Sequence, residues 1–381
     1  MTTKYIHSLA IFLLSIHVFS SCQNNAQTPE QEENPTYKII GQVDSIQDNK
    51  TVILAAFNPI DQSSEPLDTT EIQEDGSFSL EYPFQHADLF RLKLGAQSVM
   101  LAIDKGQNEV TVNAEGKRKG YVNIKGSTDS EKLQGYEAFR AESLARLVTP
   151  TYAGMREAKG DPVKEVAAVQ AYGHASEEHR KELIDYTTNN IGTSVALFGT
   201  VLRWTGDDQI PSLDALVSDF KKVHPNLPMT QVMEEKLARF KAVAIGVNAP
   251  SISLPDSTGT MQNLNELLGK YTLIDFWASW CSPCLLQVPD LKEAYNNYHE
   301  KGFEIIGISV DSKEKRWKSA IRKYDMNWPH LSDLKGWKSK ASEDYNVTFI
   351  PFNMLLDENG KIIAKNLHSN ELQDKLNELL E

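Results

Sequence analysis

Cysteine is scarce in this chain, with 3 in 381 residues, and two of the three share one short motif, CSPC at 281–284. Such a chain is not the disulfide-stapled scaffold that small secreted proteins use. No second CxxC pair and no closely spaced histidines accompany the motif, which argues against a four-ligand zinc site. Leu285 stands where covalent haem attachment would need a histidine. A redox couple and two buried structural thiols remain as interpretations.

Clusters of positive charge are also absent. The chain has 39 Lys and Arg against 52 Asp and Glu, a net charge of −13. Because nucleic-acid binding relies on basic patches, we do not expect nucleic acid as a partner. The composition is that of a globular protein, and the length predicts two or three domains.

The start of the chain differs from the rest. We predict that residues 1–21 form a signal peptide, because the apolar run at 6–19 is too short to span a membrane. The pair Ser20-Ser21 before Cys22 resembles the lipobox of bacterial lipoproteins, which implies that the Cys22 thiol is acylated. An ordinary secretory signal is the alternative. Residues 22–36 are polar and acidic, which is typical of a flexible tether.

Residues 37–126 show the texture of short strands separated by turn residues. Seven apolar or alternating segments predict a small β-sandwich or barrel, with a hairpin at Asp75–Gly76. They are YKIIGQV, TVILAAF, SFSLEY, LFRLKL, SVMLAI, NEVTVNA and YVNIKG.

The next segment, residues 127–244, carries apolar residues at intervals of three and four, which predicts a helical connector. Ser130 and Ser176 are candidate N-caps, and the PNLPM sequence at 225–229 separates two helices. Neither this segment nor the β-rich one shows a readable catalytic or metal site.

Residues 245–381 alternate between strand and helix patterns, which predicts an α/β layer fold. The CxxC closes one strand, TLIDFW, and opens a helix. Unpaired N–H groups and the helix dipole there stabilise a thiolate, so we expect Cys281 to be the exposed nucleophile. Cys284, one turn later, would be the buried resolving thiol. Pro283 suits the first helical turn, where no N–H is needed.

Two motifs in this last segment resemble thioredoxin. DFWASWCSPC at 275–284 resembles its active site, and VTFIPF at 347–352 resembles its cis-proline loop. The layout, with an extra helix before NWPHLSD, resembles bacterial thiol-disulfide oxidoreductases of the TlpA/ResA type. The β-rich segment resembles a domain of unknown function found ahead of such domains. The resemblance implies a thioredoxin-like C-terminal domain preceded by an all-β domain and a helical connector.

The resemblance also implies an acid and base for the reaction. Asp275 matches the buried acid of thioredoxin, whose raised pKa lets it accept the proton of the resolving thiol. An acid that merely caps the strand end is the alternative. Gly307 stands near the place of the lysine that accompanies this acid in thioredoxin. Gln287 replaces a Glu common in the TlpA/ResA type, so the proton transfer would fall on Asp275 alone.

The binding of a substrate segment is implied by four residues. Pro351 matches the proline with the cis peptide bond, and the Ile350 backbone would pair with an extended substrate. Trp280 would form an apolar contact surface over the sulfur pair, next to Pro283.

These features together predict an exported, membrane-anchored oxidoreductase that reduces disulfides of cell-envelope proteins. No metal or organic cofactor is expected beyond the Cys281–Cys284 disulfide, and a membrane electron donor would re-reduce the pair. A cytochrome c maturation client is one candidate substrate, and Gln23 favours the outer membrane by analogy with lipoprotein sorting.

The alternative functions are a disulfide oxidase or isomerase, and an envelope ligand-binding lipoprotein. A peroxiredoxin is disfavoured because Ala278 and Ile274 replace its Thr and Pro.

Overall fold

The computed structural model describes residues 36–45, 49–83, 86–104, 106, 108–204 and 207–381. The predicted signal peptide, the predicted lipidation site Cys22 and nearly all of the predicted tether lie outside this range. Among the described residues, no helix combines the length and the apolar character needed to cross a membrane.

The first part of the described chain is a β-sandwich of two four-stranded sheets. Of the two predicted architectures, sandwich and barrel, the structure has the sandwich. The sheet orders are β4-β1-β7-β8 and β3-β2-β5-β6. The strands are β1 Thr36–Val43, β2 Thr51–Phe57, β3 Ser64–Glu71, β4 Ser77–Pro83, β5 Asp88–Leu94, β6 Gln97–Ile103, β7 Glu109–Ala114 and β8 Val122–Lys125. Alternate side chains such as Ile39, Leu54, Leu92 and Val112 form one buried cluster, since successive strand residues face opposite sides.

Strand β3 was not predicted from the sequence. Its residues, SEPLDTTE, are almost all exposed, and it lies at the edge of its sheet. Pro66 is tolerated there because an edge strand can leave N–H positions unpaired. The hairpin predicted at Asp75–Gly76 is wrong. A tight turn is present there, but it joins β3 and β4, which belong to different sheets and do not pair with each other.

Six helices follow the sandwich. They are α1 Thr128–Ser143, α2 Thr149–Glu157, α3 Pro162–Tyr186, α4 Leu197–Thr200, α5 Ile210–Val223 and α6 Pro228–Ala242. Leu89 and Ala102 of the sandwich pack into the helical core beside Leu133, so the helices cover the outer side of β5 and β6. The break at 225–229 falls between α5 and α6, as predicted.

Both predicted N-caps are wrong. The cap of α1 is Ser127, whose Oγ accepts the Ser130 N–H at 3.1 Å, while the Ser130 hydroxyl donates to the Ala102 carbonyl. Ser176 lies inside α3, which begins after the cap Asp161. In both cases the competing residue sits earlier in the chain, because the helix starts before its apolar pattern becomes visible.

The last part is a five-stranded sheet with the order β13-β12-β11-β14-β15. A two-stranded ribbon, β9 Ser253–Pro255 and β10 Met261–Asn263, precedes it. The sheet strands are β11 Tyr271–Trp277, β12 Phe303–Ser309, β13 His330–Leu331, β14 Phe352–Asp357 and β15 Ile362–Lys365, and the helices are α7 Ser282–Tyr298, α8 Glu314–Lys323, α9 Lys340–Asp344 and α10 Asn370–Leu380. Strands β11, β12 and β13 are parallel, and β14 and β15 run antiparallel to their neighbours. This confirms the predicted α/β thioredoxin-like fold.

An ion pair links the helical connector to this sheet. The Asp207 carboxylate lies 2.7 Å from Lys365 Nζ, and the two side chains are only 20% and 13% exposed. Asp207 also accepts the backbone N–H of Ile245 at 3.1 Å. Burial lowers the pKa of Lys365 although Asp207 opposes that effect. The Asp207 carboxylate therefore stabilises the positive charge of Lys365, which is poorly solvated at this buried position.

Replacement of Asp207 by Asn should lower the free energy of unfolding by roughly 2–3 kcal/mol, because the buried Lys365 charge loses its partner. Urea unfolding followed by circular dichroism measures this. Glu378→Gln is the control, because its pair with Lys375 is exposed and its loss should cost below about 0.5 kcal/mol. Equal effects of the two substitutions would contradict the structural role of the Asp207 pair.

Candidate active site

The two cysteines lie where β11 ends and α7 begins. Cys281 is the N-cap of α7, and its Sγ accepts the backbone N–H of Cys284 at 3.2 Å. The two sulfurs are 2.07 Å apart and form a disulfide across a Cα–Cα distance of 5.3 Å. Pro283 occupies the first turn of the helix, as predicted. The sulfur at position 281 therefore faces the positive end of the helix dipole.

The predicted difference in exposure between the two cysteines is wrong. Cys281 and Cys284 are each 5% exposed. Both belong to the apolar cluster of this sheet face, because the N-cap position draws Cys281 back against the first turn of α7. The exposed neighbour is Trp280, at 51%.

A buried acid that sequence reasoning missed holds the loop before Cys281. The Asp311 carboxylate accepts the Ser279 N–H at 2.8 Å and the Ser279 hydroxyl at 2.6 Å. Ser309, at the end of β12, donates a further bond at 2.9 Å. An acid directly after a buried strand was the available signal, since a buried carboxylate needs such donors.

The loop before β14 lies against the same apolar cluster. The Ile350–Pro351 peptide bond is cis, as the resemblance implies, and Ile350 packs against the cluster that contains both cysteines. Phe349, the residue before it, is 42% exposed.

Three polar side chains and one glycine form a row, here called the polar row, across the sheet on the side of the disulfide. Asp275 of β11 is in register with Asn353 of β14 and with Gly307 of β12, which is in turn in register with His330 of β13. Residues in register point to the same face. Leu273 and Trp277, two positions either side of Asp275, belong to the cluster that contains the cysteines. The row therefore lies in the layer shared with the active-site helix.

Gly307 makes room for the His330 ring. A Cβ at Gly307 would lie 2.4 Å from His330 Nδ1 and 3.0 Å from Trp277 Nε1. Both ring nitrogens of His330 are buried, with the backbone of Met326 near the ring. Burial lowers the pKa of His330 to about 3, so its imidazole is neutral at physiological pH. A glycine inside an apolar strand was the sequence signal for this close approach.

Asp275 is only 7% exposed, and burial raises its pKa from 3.8 to about 7. No charged group contributes to that shift, and the neutral His330 adds no positive charge that would hold the carboxylate ionised. The carboxyl can therefore change its protonation state near neutral pH, as the resemblance implies.

Gln287 has a partner that the sequence did not indicate. Its Nε2 lies 3.2 Å from His368 Nδ1. Asn353 holds the segment before this histidine, since its amide bonds both the N–H and the carbonyl of Leu367. Burial lowers the pKa of His368, Glu371 opposes that effect, and the nearby His174 of α3 adds a smaller lowering. The helical connector thus reaches the surroundings of the active-site helix.

No group of three or more His, Cys, Asp or Glu side chains suited to a metal ion is found within the described part of the chain.

Comparison with known proteins places this site in a family. The Redoxin family profile matches residues 244–380, and a domain of unknown function, DUF4369, matches residues 37–133. Thiol-disulfide oxidoreductase ResA of Bacillus cereus (strain ZK / E33L) is 36% identical over 121 residues, which are 32% of this chain and 68% of that protein. Thioredoxin-like protein YneN of Bacillus subtilis (strain 168) is 33% identical over 120 residues, which are 31% and 68%.

Among solved structures, the thioredoxin domain of a thiol-disulfide oxidoreductase from Bacteroides vulgatus is 36% identical. The match covers 36% of this chain and 99% of that one, with a TM-score of 0.35. The protein is a thioredoxin-like thiol-disulfide oxidoreductase. Within that class, the chain belongs to the ResA family.

Gly307→Ala should destabilise the protein by about 1–3 kcal/mol, because the added methyl group overlaps the His330 ring. A thermodynamic cycle with His330→Ala, measured by denaturant unfolding, tests the contact. The glycine substitution should cost at least about 1 kcal/mol less once the imidazole is gone. Gly154→Ala is the control, since no heavy atom outside the backbone of its own helix and its chain neighbours lies within 4 Å of its Cβ position. Additive effects would contradict the placement of His330.

Asp275→Asn should stabilise the oxidised protein in a pH-dependent way. Below about pH 4 both states carry a protonated Asp275, whereas between about 4 and 7 only the unfolded state ionises. The native carboxyl therefore costs stability progressively across this window and costs about 4 kcal/mol above it. Unfolding free energies of both proteins at pH 4, 6 and 8 should diverge accordingly. A constant difference would contradict the buried state of this acid.

Proposed function

We propose that this oxidoreductase is exported, anchored to a membrane, and reduces disulfides of cell-envelope proteins through Cys281 and Cys284. One observation carries the proposal: the thiol pair lies at the N-terminus of α7, in the same apolar layer as an acid whose pKa is near 7. In this proposal the pair supplies the nucleophile and Asp275 supplies the proton acceptor.

The reaction starts from the reduced pair. The Cys281 thiolate, stabilised by the N-terminal dipole of α7, attacks one sulfur of the client disulfide. The first client thiolate leaves as the mixed disulfide forms. Cys284 then attacks Cys281 Sγ, which breaks the bond to the client and releases the second client thiolate. Two electrons pass from the protein to the client, and the Cys281–Cys284 disulfide forms.

Asp275 is proposed as the acceptor of the Cys284 proton. Its carboxylate faces the layer that contains both cysteines, and its raised pKa matches a proton transfer near neutral pH. One client thiolate takes the proton held by Asp275, so the acid returns to its starting state, and the other takes up a proton from solvent.

The client segment is proposed to lie over the disulfide between two surfaces. Trp280 and Pro283 form one side, and the Ile350 backbone next to Pro351 forms the other. Exposed Trp280 and Phe349 support this placement, because half-exposed aromatic side chains beside a reactive group favour contact with another chain.

The location and the electron source complete the proposal. The N-terminal sequence supports export and acylation of Cys22, with the outer membrane favoured by Gln23. A membrane electron donor would return two electrons to the oxidised pair after each turnover.

Cys284→Ser should trap the reaction halfway. Because no resolving thiol remains, the variant should accumulate a mixed disulfide between Cys281 and a client peptide, whereas Cys281→Ser should form none. Mass spectrometry under non-reducing conditions measures both species after the reduced proteins meet a disulfide-bonded peptide. If the Cys281→Ser variant forms the adduct instead, the assignment of nucleophile and resolving thiol is reversed.

A further inference from the structure

Three exposed aromatic side chains accompany the disulfide. Trp280 is 51% exposed, Trp337 47% and Phe349 42%. The Trp280 and Trp337 rings are 6.4 Å apart, and Phe349 is next to Ile350 in the loop before β14. Large apolar side chains at a reactive site favour contact with a polypeptide over contact with water.

A positively charged groove adjoins Trp280. This groove has a volume of about 600 Å³ and lies between the disulfide loop and α8. Its lining includes Ser279, Trp280, Leu285, Lys315, Arg316 and Lys323. Among the described residues, the only ion pair of α8 joins Lys318 to Glu314. The three basic groove residues therefore lack a carboxylate partner there, in a chain of net charge −13.

A further cation, which forms no ion pair among the described residues, lies beside Phe349. The Arg180 guanidinium, from helix α3 of the connector, is 5.7 Å from the centre of the Phe349 ring. Its Nε is buried with no hydrogen-bond partner in the described part of the chain, where Arg180 also has no ion pair. Glu177 is near it but accepts a bond from Asn366 at 3.4 Å. A partly buried guanidinium that contacts an aromatic ring but has no carboxylate at ion-pair distance can still gain free energy from an incoming carboxylate.

We propose that these features form one client-binding surface that selects polypeptide segments with carboxylate side chains flanking the disulfide cysteine. The groove lysines and arginine would receive acidic residues on one flank, and Arg180 those on the other. The aromatic side chains would contact the client backbone between them. This inference rests on the proposed function and gives the helical connector a part in choosing the substrate. The complementary charge favours a client of opposite sign chiefly through the rate of association.

The test uses the reduced full chain and three synthetic peptides. Each peptide contains the same disulfide, flanked by Asp and Glu, by Asn and Gln, or by Lys. Stopped-flow tryptophan fluorescence gives the second-order rate constant of a single turnover, so no external reductant is needed. We expect the acidic peptide to react about tenfold faster than the neutral one at low ionic strength. The advantage should shrink below about twofold in 0.5 M salt.

Two variants locate the effect. Lys315→Glu, Arg316→Glu, Lys323→Glu together should abolish or reverse the preference, and Arg180→Gln should reduce it by about threefold. Lys93→Glu, Lys119→Glu, Lys125→Glu is the matched control, with the same change of net charge on exposed residues of the β-sandwich. It should retain the full preference. Thermal unfolding checks that each variant is folded.

Equal rates for the three peptides would overturn the inference while leaving the proposed function intact. A preference that survives in the groove variant and in Arg180→Gln, or that disappears in the control, would also overturn it. A neutral small disulfide, 2-hydroxyethyl disulfide, distinguishes failure of the inference from failure of the proposed function. If the unaltered protein reduces neither this compound nor any peptide, the proposed function fails and the inference fails with it.

Discussion

The junction between strand β11 and helix α7 is the constraint on which the rest of the site depends. The buried strand β11 is followed closely by helix α7, and Cys281 is the N-cap residue of that helix. The free N–H groups of the first turn stabilise a thiolate at this position and hardly affect one farther along the helix. Asp311 fixes the loop through Ser279, so the cap sulfur has one defined position. The spacing of two residues then brings Cys284 within bonding distance of it.

The polar row beneath this junction shows how the fold accommodates an acid in an apolar layer. Asn353 is satisfied by the Leu367 backbone, whereas Asp275 and His330 lie on either side of a glycine. A second charge of positive sign would hold Asp275 ionised and lower its pKa. The buried His330 stays neutral, so desolvation alone sets the proton affinity of Asp275. Burial of the Asp275 carboxyl therefore has two effects. It lowers the stability of the folded protein, and it raises the pKa of the acid to the range that proton transfer near neutral pH requires.

The sequence predicted the features that depend on local chemistry. The strand–CxxC–helix order and the first-turn Pro283 follow from one short motif, whereas the cis bond at Pro351 was implied only by the resemblance to thioredoxin. The sequence did not predict an exposed edge strand or the contacts between residues far apart in the chain. Strand β3 has little apolar pattern because an edge strand buries little. The contact of His330 with Gly307 depends on sheet register, and the reach of α3 to Phe349 depends on packing between segments far apart in sequence.

The central claim is that the Cys281–Cys284 pair is a reversible couple that donates electrons to protein disulfides. The most direct test is its reduction potential, obtained by equilibrating the protein with dithiothreitol and glutathione buffers and counting the free thiols. We expect a value near about −270 mV, the region of thioredoxin, from which electrons flow to client disulfides. A value near about −120 mV, the region of strong oxidants, would contradict the account because the pair would then oxidise its clients.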